Sequence, residues 1–427
     1  MNYILMNKYL QIAERWFVIL SLIFYSSGPL PLILSGGAGQ GIDEETVVSI
    51  DYTLPQTIFF INYLISLFLL IIRWRKATYT LSKEPTIWLL MVIALISVFW
   101  SFNPQLTRPR SIALAGTSLF GLYVASRFSI REQIKLLGWS FGIIVVMSFL
   151  LAIIIPYYGT MASGIHAGAW RGIYVHKNVL GKIMGLSGIV FVLLSLDTKQ
   201  KRWYPLVGLG LSFCLLFLSK SSSAMINFLT AIGTIPLYNT LRWRYHFMIP
   251  TIIATVIVGG GLSLWLNENS AMLLGSIGKD PTLTGRTEMW PFIMEMIWKQ
   301  PWLGYGYSAF WNDWDSPGAY VWYAARWTSP NSHNGFLDLW LDFGLVGLII
   351  FLLGFLQTSL RGLKYIRVDK YWASFWGLLY LTYLMLGNLT ESSLVARNDI
   401  FWLLYITISF SLAINSSKTD EMSIQKS

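Results

Sequence analysis

Charge is what this sequence has least of. Of its 427 residues 12% are charged, where an ordinary soluble domain carries roughly 25%, and the shortage excludes a chain that meets water along most of its length. Cysteine is nearly missing as well. The one copy, Cys214, sits inside an apolar run, so neither a disulfide framework nor a cysteine-based metal site is available, and its expected role is packing. No internal repeat or low-complexity segment stands out.

In place of charge the chain has apolar length: 55% of its residues are hydrophobic. A helix needs roughly 20 apolar residues to cross the hydrocarbon core, and irregular backbone is not tolerated against lipid. The chain is therefore expected to be all-α, a polytopic membrane protein of about 12 transmembrane helices. Spans are expected near residues 16–35, 56–73, 85–101, 110–126, 137–156, 179–196, 203–219, 222–238, 248–266, 335–357, 373–388 and 399–415. The run from Trp16 to Leu34 is too long for a signal-peptide core and lacks a small-residue cleavage pattern, so a retained helix behind a short cytoplasmic lead at 1–15 is expected. Residues 1–427 then form a single integral-membrane domain. The polar stretch 267–332 is much longer than every other connection and is the one candidate for an extramembrane, periplasmic loop subdomain.

Lys and Arg set the orientation. With both termini cytoplasmic, most of the 31 basic residues fall inside, among them Arg73, Arg75, Lys76, Lys201, Arg202, Arg242, Arg244, Arg361, Lys364, Arg367 and Lys370. The net charge of +10 then reflects topology and contact with anionic membrane lipid in a multi-pass inner-membrane protein; a nucleic-acid partner has no support.

Basic residues left on the outer side run against that bias and gather in short motifs. Segment 168–182 carries Trp170, Arg171, Gly172, His176, Lys177, Asn178 and Lys182 and leads directly into an apolar run. It reads either as an interfacial anchor, since Trp, Tyr and Arg favour the headgroup zone, or as a phosphate grip. In the second case Arg offers a bidentate fork and Lys a point charge, and the amides opening the helix add a partly positive dipole. Lys220 follows Ser219 between two apolar runs, either snorkelling from a helix end or binding anionic oxygens together with Ser221, Ser222 and Ser223.

The long loop carries Gly285-Arg286, then Pro301-Trp302-Leu303-Gly304, then Asn331-Ser332-His333-Asn334, with tryptophans at 290, 298, 302, 311, 314, 322 and 327. Flat aromatic faces suit sugar rings, and equally suit cores and interface belts. Asp313-Trp314-Asp315 has the spacing of a metal-holding DxD, which two surface carboxylates also produce. His333 is the sharpest candidate. It precedes an apolar helix bearing Asp338 and Asp342, and Asn334 beside it is able to hold one ring nitrogen. A neutral imidazole there can take a proton from a sugar hydroxyl.

These residues carry a resemblance. Gly285-Arg286, followed by the element His-Asn-x9-Gly-x-x-Gly from His333 to Gly347, resembles the defining region of the O-antigen ligase and polymerase superfamily. Trp170-Arg171-Gly172, His176-Lys177-Asn178, Ser219-Lys220-Ser221 and Asn388-Leu389-Thr390-Glu391-Ser392 are most similar to its exopolysaccharide-polymerase, ExoQ-like branch. The similarity spans roughly 85–415, and the first two spans match by hydropathy alone.

The resemblance implies a GT-C-like glycosyltransferase that polymerises polyprenyl-diphosphate-linked oligosaccharide at the outer leaflet, inverting and independent of metal or other cofactor. It casts His333 as the base for the acceptor hydroxyl and Arg286 as the contact to the lipid-linked diphosphate. Arg171, Lys177 and Lys220 then add cations for that diphosphate, Asn334, Glu391 and Asn178 support the site, and a flippase and a chain-length regulator are the implied protein partners. Lys220 stands where members, especially ligases, often have arginine, and Leu348-Ile349 stand where ligases tend to have two threonines. Both departures favour a polymerase over a ligase. A transporter or flippase of lipid-linked saccharide is the competing class, but it predicts paired helix breaks in two matching halves, which the sequence does not show.

Overall fold

A computed structural model describes residues 2–35, 53–162, 166–197, 203–251, 253–254 and 286–424. Its helices are α1 (Asn2–Tyr25), α2 (Leu30–Leu34), α3 (Thr53–Ile72), α4 (Trp74–Leu81), α5 (Pro85–Ile96), α6 (Pro104–Arg127), α7 (Ile130–Ile154), α8 (Pro156–Gly159), α9 (Lys177–Asp197), α10 (Trp203–Leu218) and α11 (Ser222–Thr240). They continue with α12 (Arg286–Lys299), α13 (Gly318–Ala325), α14 (Gly335–Val368), α15 (Trp376–Gly387) and α16 (Ile400–Ile424). Among the described residues no strand forms.

The all-α expectation holds. Four helices, α3, α7, α9 and α14, are long and apolar enough to cross a membrane, and a fifth span results if the pair Trp74–Leu81 and Pro85–Phe99, bent by 92°, counts as one. Most of the expected span at 248–266 and the first part of the loop, 267–285, lie outside the described residues. Two boundaries differ from expectation. The first helix reaches back through the supposed lead at 1–15 and stops at Tyr25, because Ser27 adopts a positive φ of 68° and Pro29 has no amide to continue the ladder. The stretch 286–332 is not plain loop but carries α12 and α13, whose Met289, Ile293 and Val321 form a small core with Phe310 and with Leu341 of α14.

On α3 burial is inverted relative to a water-soluble protein. Phe60, Ile61, Leu64, Phe68 and Ile72 of α3 face outward, while Asn62 and Ser66 of the same helix are buried. Inside, Asn62 donates to Ser21 Oγ at 2.7 Å and accepts from Tyr25 at 3.0 Å. Hydrogen bonds of this kind hold helices together where lipid gives no hydrophobic drive. The protein is thus a multi-pass membrane protein.

The two ends of the bundle have different chemistry. At one end ion pairs staple helix termini: Glu14 to Arg73 and Arg127, and Glu84 to Arg361. At the other end meet the starts of α9, α11, α12 and α14 and the ends of α10 and α15. Trp170 N–H donates to the Leu218 carbonyl at 3.0 Å, Gly335 N–H to the Asn388 carbonyl at 2.9 Å, and Tyr383 to the Lys182 carbonyl at 2.8 Å. Every residue singled out from the sequence as a site candidate lies at this second end.

Candidate functional site

The platform of the site is a break in α14. Gly344 has φ 66° and ψ −170°, so the helical ladder fails there, and the loop 301–305 fills the gap. Tyr305 N–H donates to the Leu341 carbonyl at 2.7 Å, Leu345 N–H to the Pro301 carbonyl at 2.7 Å and Val346 N–H to the Trp302 carbonyl at 3.3 Å. A Cβ on Gly344 would overlap the Trp302 carbonyl. The first glycine of the Gly-x-x-Gly element is therefore a docking notch that fixes the 286–332 subdomain to α14.

His333 stands just before α14 with φ 51°. Such a conformation costs a non-glycine residue about 1–3 kcal/mol and persists only where the surroundings over-determine it. Here they do. Asn331 Oδ1 accepts the His333 N–H at 2.9 Å, and Ser332 Oγ both donates to the Asn334 carbonyl at 2.7 Å and accepts the Asn334 N–H at 3.1 Å. Trp327 lies parallel to the imidazole, with ring centroids 5.3 Å apart and planes 9° from coplanar.

Asn334 does not hold the histidine ring. Its Oδ1 accepts the amides of Phe336 at 3.0 Å and Leu337 at 3.3 Å, because asparagine at the N-cap satisfies helix donors that otherwise have no partner. Asp338, one turn into the helix, ties three segments together. It accepts Trp311 Nε1–H at 2.8 Å, Ser332 N–H at 3.1 Å and the Ser392 hydroxyl. The histidine turn, the tryptophan-rich subdomain and the 388–393 loop thereby share one anchor.

Around the imidazole the structure gathers charges. Glu391 is salt-bridged through Oε1 to Arg286 NH2 at 3.3 Å and through Oε2 to Lys182 Nζ at 3.9 Å, and Arg286 also donates to the Thr390 carbonyl. Burial raises the Glu391 carboxyl, but Lys182, His333, Arg286 and His176 together outweigh it and hold it below its ordinary value. His333 is 4% exposed. Burial pushes it down, the cations Arg286 and Lys182 push the same way, and Glu391 offsets them only in part, leaving it at about 4. The imidazole is neutral at physiological pH. His176 is also lowered to about 4, first by burial and then by His166, whose ring lies 5.5 Å away. Its Nδ1 accepts the Asn178 N–H at 3.2 Å, which leaves Nε2 as the donor of the neutral ring.

Arg286 and Glu391 are ion-paired and both act electrostatically on His333, while Asn178 donates its backbone amide to His176. Lys177 and Lys220 form a neighbouring pair: Lys177 Nζ donates to the Lys220 carbonyl at 3.2 Å and steadies a turn in which Lys220 has φ 51°. Arg171 is placed differently from a cation waiting for phosphate. It is fully buried, and its guanidinium donates to the carbonyls of Tyr158 (2.9 Å), Val175 (3.2 Å) and Tyr157 (3.3 Å), clamping the turn that leads to His176. Asp313 of the DxD accepts the Asp315 N–H at 3.2 Å and closes its own turn. Lys182 and His176, which stood in the 168–182 segment without a role of their own, and Asp338 join the site; a lysine one turn inside an apolar helix was the available signal.

A helical membrane bundle that sets a buried imidazole beside Arg286, Lys182 and Glu391 at one end defines a class, a multi-pass membrane protein with a charged site at the mouth of its helices. Comparison with known proteins narrows it. The family described as O-antigen ligase matches residues 207–352, a stretch that includes Lys220, Arg286, His333 and Gly344. The chain is also 26% identical over 295 residues to the exopolysaccharide production protein ExoQ of Rhizobium meliloti (strain 1021), an alignment covering 66% of this chain and 66% of that protein. Both matches bear out the resemblance to the O-antigen ligase and polymerase superfamily and, within it, to ExoQ-like proteins.

Proposed function

We propose that the protein is an inner-membrane glycosyltransferase that polymerises polyprenyl-diphosphate-linked oligosaccharide repeats into exopolysaccharide or O-antigen at the outer leaflet, inverting and without a metal. The buried neutral imidazole, held on an over-determined turn beside Arg286, Lys182 and Glu391, carries the proposal. In the step envisaged, the acceptor hydroxyl oxygen attacks the anomeric carbon while His333 takes its proton. The bond from that carbon to the diphosphate oxygen breaks, and its electron pair leaves with the polyprenyl diphosphate. Attack opposite the departing group inverts the centre.

Charge growing on the leaving oxygens needs positioned cations. Arg286, Lys182 and Lys220 supply them, with Lys177 supporting the Lys220 turn; Arg171, with its fork on carbonyls, shapes the loop. Donor binding also tunes the base. An anionic diphosphate beside His333 counteracts Arg286 and Lys182, raising the imidazole from about 4 toward working pH, where a general base is most effective. A flippase delivering repeats and a chain-length regulator are the protein partners this function calls for.

The test is reconstitution in proteoliposomes with a defined lipid-linked oligosaccharide and no ion gradient, followed by sizing of the product. A ladder of lengthened chains on the lipid carrier is expected, and His333→Ala should lower its rate by about 10²–10⁴ while the protein remains inserted. Near-normal polymer from that variant sinks the base assignment. Transfer of chains to a different acceptor, with no lengthening, establishes a ligase, the activity that the matching family's description names.

A further inference from the structure

The 286–332 subdomain holds an open cavity of about 500 Å³, within the roughly 300–1,000 Å³ typical of small-ligand sites. We infer that it is an acceptor-saccharide subsite, an aromatic cup walled by Trp314, Trp322, Tyr323 and Trp327, with Arg326 and Thr328 as polar members of its lining. The inference rests on the glycosyltransferase reading for its role as acceptor site, and on the cup alone for saccharide binding.

The cup is built, not incidental. Trp322 is fixed by its indole N–H donating to the Ser329 carbonyl at 2.6 Å, and Trp314 stands edge-on to it at 5.4 Å and 74°. Helix α13 ends at Arg326 in a left-handed turn of φ 54°, where both the Arg326 and Trp327 amides return to the Trp322 carbonyl. That turn brings Trp327 back to form the remaining wall. Trp314 and Tyr323 are 64% and 82% exposed, so broad ring faces are left bare at the cavity.

Aromatic walls with donors in the lining match the two-faced character of a sugar ring, which offers C–H groups to the ring faces and hydroxyls to the donors. A membrane belt needs rings pointing outward singly; it needs neither a hollow nor a locked indole. The decisive link is Trp327, which lines the cup and is also stacked on His333 at 5.3 Å. A saccharide seated in the cup is one indole away from the imidazole, so the hydroxyl that reacts belongs to the neighbouring sugar of the same acceptor chain.

The experiment uses the full chain in nanodiscs. The probe is the water-soluble oligosaccharide released by mild acid from the polyprenyl-linked repeats of the producing cell. The double variant Trp314→Ala/Tyr323→Ala should weaken probe binding about tenfold, equivalent to roughly 1.4 kcal/mol, and raise the acceptor KM in parallel. Trp298→Ala, equally exposed at 65% but outside the cup, should change neither. Unaltered probe affinity in the double variant overturns the inference. If the double variant keeps wild-type affinity and instead loses bilayer retention, the rings are a membrane anchor and the inference is again overturned. If wild type binds the probe, the double variant does not, and neither forms glycosidic bonds, the saccharide site stands while the polymerase reading falls.

Discussion

Replacing Asp338 should disarm His333 without touching it. The carboxylate accepts from Trp311 Nε1 at 2.8 Å, from Ser332 N at 3.1 and 3.2 Å, and from the Ser392 hydroxyl. In Asp338→Ala three donors lose their acceptor at once. Each buried orphan costs about 1–3 kcal/mol; the serine hydroxyl can rotate to another partner, so the expected total is about 2–6 kcal/mol, charged to the two N–H groups. Asp338→Asn keeps one oxygen for Trp311 and Ser332 and lets Ser392 turn round to accept, so it should cost about 1–2 kcal/mol. Because Ser332 is adjacent to His333, releasing its amide loosens the turn, and a displacement of 1 Å at a reacting group costs about 10²-fold in rate. Thermal unfolding in detergent and the single-turnover polymerisation rate are measured together. Asp338→Asn, which still holds the Ser332 amide, should retain most of both stability and rate, and Asp338→Ala should lose both. Wild-type rate in a folded Asp338→Ala protein refutes the positioning role.

Three further outcomes are expected. Arg286→Lys should be nearly as damaging as Arg286→Ala, since a point charge cannot reach both the Thr390 carbonyl and Glu391 while presenting a fork to a diphosphate; at Lys220, where the group is already a point charge, the Arg variant should stay active and the Ala variant should lose about a hundredfold, both read from chain length on the lipid carrier. For pH, His333 is lowered from 6.5 to about 4, so the free enzyme keeps its neutral base as pH falls and loses it only through about 4; kcat/KM should stay level from pH 8 to 5 (roughly), and an acid limb near the ordinary histidine value contradicts the site's electrostatics. Gly344→Ala should unseat the 301–305 loop, seen as faster amide hydrogen exchange at Tyr305 and Leu345, because the side chain overlaps the Trp302 carbonyl and the backbone there suits glycine alone; unchanged exchange means the loop does not depend on the notch.

Helix-forming runs were legible because apolar length is a local property. From 53 onward, each expected span in the described residues coincides with a helix, and where the first span failed the cause was a single turn at Ser27 and Pro29. His333 was singled out by its motif, although a lone histidine at a helix start is usually a cap or a surface group; the structure instead buries it. Glu391 was found only through its motif, and its pairing with Lys182 and Arg286 joins chain segments too far apart for spacing to reveal. Arg171 shows the reverse limit: an arginine beside Trp and Gly reads the same whether its fork meets phosphate or three carbonyls. Asn334 likewise offers identical chemistry to a ring nitrogen or to helix amides, and only the extended backbone at that residue decides for the amides. Function adds its own ambiguity, since the tryptophans of 311–327 serve a core, a cup and a stack on His333 at once.

The break at Gly344 also restricts how substrate reaches the site. Lifting the 301–305 segment as a hinged cover strips partners from the Leu341 carbonyl and from the Leu345 and Val346 amides, a cost of at least about 3 kcal/mol, which leaves such an opened form to fewer than about one molecule in a hundred. The 301–305 segment and the part of α14 on either side of Gly344 therefore move as one piece. On the polymerase proposal, a lipid-borne donor is expected to enter from the side, between helices, and not beneath a lifted 301–305 segment.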